Sequence, residues 1–310
     1  MKKVRTVFMG TPQIACTVLE NMIEAGIDLV LVVTQPDRKV GRKQKTTYSP
    51  VKECALHHDI PVFQPYRIKE EYQAVLDAKP ELIVTCAFGQ IVPDVILEAP
   101  VYGCVNLHGS LLPKYRGAAP IQRAIWDGEK KTGMSLMKMV SAMDAGPVFD
   151  TEEIVIEPME TSSSLFEKMA LAASRLLIRD YDAICSKDAH YVEQDESLVT
   201  FAAKIEKEDE KIDLSKDDEA ILCQINALSH APGGYIEVNH KKFKIYKVDY
   251  KQQEVKDPFV WLGKVDQGFG LSLHHGILII QQCQMEGKPI VSGLDFANGQ
   301  GQNLKGKRVS

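Results

Sequence analysis

The chain reads as an α/β protein: a domain built on a mostly parallel sheet, followed by a small β-barrel domain. Three observations lead there. Its 310 residues suffice for two domains of ordinary size. The first half alternates short apolar runs with amphipathic stretches, the pattern of parallel strands joined by crossover helices. Beyond residue 210 the apolar runs become short and recur roughly every ten residues with glycines between them, which suits a barrel.

Taken in order, 4–9 forms the first strand, and Thr11 caps a helix that has Pro12 at its first position and runs to about residue 25. Strands follow at 29–34, 62–63, 82–86 and 103–106, with helices over 51–58, 69–78 and 118–127. Residues 134–139 and 148–156 read as a strand pair, and 163–184 as a long amphipathic helix. Around 186–209 periodicity dissolves into polar and charged residues ending in K-I-E-K-E-D-E. That predicts a first domain over 1–187, a linker over 188–209 and a second domain over 210–310. The second domain opens with a helix over 212–229, and its strands fall at 235–238, 243–248, 270–274 and 276–281.

Composition excludes several classes. With 45% apolar and 25% charged residues the chain is neither disordered nor fibrous. The start, M-K-K-V-R-T-V-F-M-G, has too short an apolar run for a secretory signal, and no stretch approaches bilayer length. A cytoplasmic protein without a membrane partner is expected. The cysteines (Cys16, Cys54, Cys86, Cys104, Cys185, Cys223 and Cys283) are scattered and never spaced C-x-x-C. His57–His58 and His274–His275 have no third ligand at metal spacing, so no metal is expected. A net charge of −5 opposes nucleic acid as a partner, but clustered basic residues override a global count.

The chemistry concentrates in 105–120, V-N-L-H-G-S-L-L-P-K-Y-R-G-A-A-P. Asn106 and His108 lie two apart at the end of a strand, so both side chains point to one side. Asp144, in S-A-M-D-A-G-P, is the natural partner for the imidazole. An amide donor, a proton carrier and an orienting carboxylate suit acyl transfer. Gly10-Thr11-Pro12 lacks the G-x-G-x-x-G glycines, so a Rossmann-like fold is expected without a nicotinamide cofactor. Two apolar loops, Ala87-Phe88-Gly89-Gln90-Ile91 and Ser110-Leu111-Leu112-Pro113, suit the walls of a flat heterocycle. Read alone, either loop is equally a packing element. Arg38, Lys39, Arg42, Lys43 and Lys45 put five positive charges within eight residues. Such a run is either a solvated face or a phosphate-binding loop. Lys241, Lys242, Lys244, Lys247, Lys251 and Lys256, with Lys305, Lys307 and Arg308 in the tail, offer a second basic track.

On Asn106, His108 and the full run S-L-L-P-K-Y-R-G-A-A-P-I-Q, the sequence resembles the folate-dependent formyltransferases, in particular those that act on methionyl-tRNA. The resemblance runs from residue 4 to the basic tail. It implies transfer of a formyl group from 10-formyltetrahydrofolate to the amino group of methionine on initiator tRNA. It also implies that Asn106, His108 and Asp144 are catalytic, that 87–91 and 110–113 bind folate, and that the 38–45 loop enters the tRNA. The second domain would be an OB-fold-like tRNA-binding module. For the protein itself a monomer is the default expectation. Two other readings stay open: the same folate chemistry on glycinamide ribonucleotide, an amino sugar nucleotide or water, and a noncatalytic RNA-binding protein. The basic loop and second domain favour tRNA over the other acceptors. An RNA-binding protein has no need for the Asn–His–Asp set.

Overall fold

The structure, a computed structural model, describes residues 3–40, 45–186 and 188–309. It divides into two compact units. One comprises Met1–Pro120, Lys131–Val155 and Phe166–Ala202; the other comprises Ile121–Lys130, Ile156–Leu165 and Ala203–Ser310. The sequence reading differs on two points: neither unit is continuous, and the first extends past 187 to 202.

The first unit opens with β1 (Thr6–Gly10), α1 (Gln13–Glu24), β2 (Leu29–Val33), a hairpin of β3 (Arg38–Val40) and β4 (Lys45–Thr47), α2 (Pro50–His57) and β5 (Val62–Phe63). It continues through α3 (Gln73–Asp77), β6 (Leu82–Cys86), α4 (Asp94–Leu97), β7 (Cys104–His108), β8 (Arg116–Gly117) and α5 (Pro120–Trp126), which carries the chain into the second unit. Back in the first unit come β9 (Lys131–Lys138) and β10 (Val148–Val155), then α6 (Ser162–Ile184), which starts in the second unit, and β11 (Phe201–Ala202). The main sheet has the order β10-β9-β7-β6-β1-β2-β5. Its five strands from β7 to β5 are parallel, and β9 and β10 complete it antiparallel. Every residue of β1 and β6 is buried, as near-continuous apolar runs dictate for strands covered on both faces. Burying one side chain of the size of Phe8 or Ile83 contributes about 1.5–3 kcal/mol.

From β1 the chain goes to β2 and β5 on one side, then returns to β6 and β7 on the other. The strand order therefore reverses between β1 and β6. Loops leaving the carboxyl ends of strands at such a reversal frame the crevice where α/β proteins bind ligands.

Ser49 caps α2, its hydroxyl accepting from the Lys52 amide at 3.0 Å, with Pro50 at the first helical position. Thr11 does not cap α1; its hydroxyl donates to the Phe88 carbonyl at 3.0 Å, tying the loop after β1 to the loop after β6. The expected helix over 69–78 is a short turn of helix confined to α3.

In the second unit α7 (Asp218–Ala227) precedes β12 (Gly234–Val238), β13 (Lys241–Gln252), β14 (Trp261–Val265), β15 (Gly268–Ser272), β16 (Gly276–Met285), β17 (Val291–Ser292) and α8 (Gly293–Asn298). The sheet order is β12-β13-β16-β15-β14, with β17 added to β16 and each pair antiparallel. Phe243, Trp261, Phe269 and Phe296, from three strands and α8, meet in the core, Trp261 stacked on Phe269 and the other pairs edge-on or tilted. Among the described residues, no helix is long and apolar enough to cross a membrane.

Candidate active site

The site builds outward from the carboxyl end of β7. Pairing with β6 on one side and β9 on the other fixes the strand, so Asn106 and His108 share a face as their spacing requires. The Thr85 hydroxyl, from β6, donates to Asn106 Oδ1 at 2.7 Å. That bond orients the amide. Nδ2 makes no hydrogen bond, and no buried side-chain nitrogen or oxygen among the described residues lacks a partner, so this donor is open to solvent.

His108 is only 5% exposed. Its Nε2 lies 2.9 Å from the Tyr115 carbonyl, and its Nδ1 lies 3.5 Å from Asp144 Oδ1. Both ring nitrogens thus face oxygen atoms, Nε2 within hydrogen-bond distance and Nδ1 across a longer gap. The other carboxylate oxygen, Asp144 Oδ2, accepts from the Gly117 amide at 2.9 Å. Gly117 has φ +129°, and a Cβ there would come within 2.6 Å of the Ala202 carbonyl, so only glycine brings this amide to the carboxylate. Asp144 itself has φ +53°, a left-handed conformation unusual for a side-chain-bearing residue.

The predicted folate residues divide. Ser110 is fully buried and its hydroxyl donates to the Lys114 carbonyl at 2.6 Å, so it shapes the loop from within. Phe88 is buried in the core, and the Gln90 amide is engaged with the Ile68 N–H and the Pro65 carbonyl. These three side chains serve the packing and internal bonding of the loops that carry them. Ala87 and Ile91 are exposed, Gly89 lies in the left-handed region at φ +84°, and Leu111, Leu112 and Pro113 are half-buried. Thr11 and Gln35 both donate to the Phe88 carbonyl, fixing the 87–91 loop from two sides. A cavity of about 680 Å³ lies beside Met139, bounded by Leu97, Val140, Tyr102, Lys138 and Tyr191. Met139 Sδ is 3.2 Å from the Thr85 hydroxyl, so this cavity adjoins the support of Asn106.

The basic stretch is a β-hairpin rather than an irregular loop, with Arg38 opposite Thr47. Arg38 is exposed. Arg42 and Lys43 lie outside the described residues, as do the side chains of Lys39 and Lys45. At the hairpin base Asp37 takes an ion pair from Lys52 at 2.7 Å and a hydrogen bond from Gln64 at 2.9 Å. Lys52, and after it Gln64, holds the Asp37 carboxyl below its usual range.

Among the described residues one group offers three metal-type ligands, Cys16, Glu20 and Cys54, outside the crevice loops. Burial, reinforced by Cys54 and Glu20, pushes the Cys16 thiol up to about 12, and burial also raises Cys54. Both are thiols in their packed state, not nucleophiles.

Spacing alone did not reveal Thr85, Gly117 or Gln194. Gln194, in the stretch expected as a linker, donates to the Asp144 carbonyl at 2.8 Å and to the Gly146 carbonyl at 2.7 Å. Residues 188–202 belong to the first unit, with β11 paired to β8. Only the motif neighbour Arg116-Gly117 carried a signal for this region.

Comparisons with known proteins find relatives across most of the chain. Residues 2–180 match the family model for formyl transferase and 204–301 match that for the formyl transferase C-terminal domain. The chain is 40% identical over 299 residues to a methionyl-tRNA formyltransferase of Malacoplasma penetrans, covering 96% of this chain and 94% of that one. It is 47% identical over 245 residues to the enzyme of the same name from Bacillus thuringiensis subsp. konkukian, covering 78% of each. Among solved structures, an N-formyltransferase from Helicobacter canadensis, in complex with folinic acid and dTDP-3-aminofucose, shares the fold at TM-score 0.68 and 20% identity, over 89% of this chain and 99% of that one. HypX from Aquifex aeolicus does so at TM-score 0.69 and 16% identity, over 99% of this chain and 51% of that one. With a matching family model across most of its length and such relatives, the chain belongs to the formyl transferase family.

Proposed function

We propose that the protein transfers the formyl group of 10-formyltetrahydrofolate to the amino group of methionine on initiator methionyl-tRNA. The observation that carries this reading is the His108–Asp144 pair beside an Asn106 amide whose donor is free, in a chain 40% identical to a methionyl-tRNA formyltransferase over nearly its whole length.

The neutral amine attacks the formyl carbon, and the carbonyl π electrons become an oxyanion. Asn106 Nδ2 donates to that oxygen. Because Nε2 of His108 is held by the Tyr115 carbonyl, Nδ1 is the nitrogen left to serve the reacting centre. Its contact with Asp144, at 3.5 Å, is loose enough for an N–H there to be shared with the developing charge. Collapse of the oxyanion breaks the bond from carbon to folate N10, and the proton lost by the amine is delivered to N10. Asp144 stabilises the charged ring during this transfer. The folate is assigned to the crevice at the strand reversal, against Ala87, Ile91 and Leu111 to Pro113. The basic hairpin from Arg38 is assigned to tRNA phosphates, with the lysines of the second unit as a further track. The alternative acceptors have no observation in their favour.

Mixing the protein with 10-formyltetrahydrofolate and charged initiator tRNA should yield formylmethionyl-tRNA, and omission of either substrate should abolish it. His108→Ala should lower turnover by about 10²–10³-fold and leave tRNA affinity within a few-fold. Wild-type turnover in that variant would remove the imidazole from the mechanism.

A further inference from the structure

We infer that residues 192–202 form a strap that holds the reacting groups in register, and that Gln194 is a positioning residue acting through Asp144. The inference rests on the catalytic reading above, because it concerns what keeps Asp144 beside His108.

Two loops meet at the imidazole. The 115–118 loop presents the Tyr115 carbonyl to His108 Nε2 and the Gly117 amide to Asp144 Oδ2. The 144–148 loop carries the carboxylate. The strap binds both. Toward the first loop, the Thr200 hydroxyl accepts from the Tyr115 amide at 2.9 Å, the Thr200 carbonyl accepts from the Arg116 amide at 2.9 Å, and the Ala202 carbonyl accepts from the Ala118 amide at 2.9 Å. Toward the second, Val192 and Val148 exchange two backbone hydrogen bonds, each 2.8 Å.

Gln194 sits where these meet. One amide nitrogen donates to two carbonyls of the Asp144 loop, at residues 144 and 146. Its Oε1 accepts from Arg116 Nε at 3.0 Å, and the guanidinium of this buried arginine continues to Glu196 at 2.8 Å. A single side chain thus links the arginine of one loop to the backbone of the other. Asp144 needs such support. A left-handed aspartate persists only where its surroundings over-determine it. Two residues further on, a Cβ on Gly146 would overlap the Lys138 carbonyl, so this loop sits tight against β9.

Glutamate in place of Gln194 keeps the volume and the acceptor for Arg116 but loses both donated bonds. Gln194→Ala and Gln194→Glu should each lower kcat about 10–100-fold, the scale of a misplaced reacting group, with KM for both substrates within three-fold. In an Asp144→Asn background, Gln194→Glu should cause little further loss, because a residue acting through Asp144 has nothing left to act on. Wild-type kcat in Gln194→Glu, or full additivity of the two changes, would overturn the proposal. Should Gln194→Ala fail to fold, the glutamate variant and its cycle carry the test. The Asp144→Asn control separates the two ideas: if that variant alone turns over at the wild-type rate, the catalytic reading fails, whereas an impaired Asp144→Asn beside a normal Gln194→Glu sinks only the strap.

Discussion

At the scale of single residues, the chemistry depends on how neighbours spend their hydrogen bonds. Asn106 and Thr85 illustrate this. An amide can present either end to a ligand, and only the Thr85 hydroxyl on Oδ1 makes Nδ2 the outward group. Thr85→Val keeps the β-branched shape in a fully packed strand but removes that hydroxyl. Turnover should fall about ten-fold, the kinetic equivalent of one net hydrogen bond, while thermal stability shifts by only about 1 kcal/mol. Steady-state rates beside a melting curve make the comparison; unchanged turnover would mean that the amide is oriented by something else. The same logic explains what a sequence reveals at this scale. Asn106 and His108 are legible because a strand imposes a two-residue period on its faces. Thr11 misleads: a threonine before proline looks like a cap, but its hydroxyl finds a tertiary partner in the Phe88 carbonyl.

At the scale of elements, the basic hairpin and the strap make a contrast. The hairpin announces itself through charge density, and its base is anchored by Asp37 to Lys52 and Gln64. If it contacts phosphates, Arg38→Ala should reduce the slope of log affinity for tRNA against log salt by about 0.7–0.9, with KM for folate unchanged. A salt titration of tRNA binding gives that slope directly, and an unaltered value would free Arg38 from the RNA. The strap announces nothing. Its contacts are largely to backbone carbonyls and amides, which carry no residue code, so a polar stretch without periodicity reads as a linker. For the same reason the 87–91 and 110–113 segments were legible as loops, but the inward roles of Ser110 and Gln90 were not. The short helix α8 and strand β14 are too brief for periodicity to register, although they supply Phe296 and Trp261 to the core of the second unit.

At the scale of the molecule, buried acids of the thiol and phenol type link stability to pH. Burial pushes the Cys86 and Cys104 thiols from 9.0 up to about 12, and burial likewise pushes the Tyr181 phenol from 10.0 up to about 12. Their folded-state values exceed the unfolded ones, so their contribution is complete below about pH 9 and is lost as pH climbs toward 12. Each such group removes up to about 1.4 kcal/mol per pH unit within its window. Denaturant midpoints measured from pH 8 to pH 11 should therefore fall steadily above 9, and a flat profile would contradict the burial of these groups. One last feature reaches into how the gene can be divided. Because 121–130 and 156–165 fold with the second unit, that unit is woven from three stretches of chain. Ser162 and Ser163 donate to the Ser229 carbonyl, and Arg123 grips Asp209. A polypeptide beginning at 204, where the second family match starts, would leave those partners behind. The two halves of the gene are thus suited to fragment complementation, each restoring what the other lacks, rather than to independent expression.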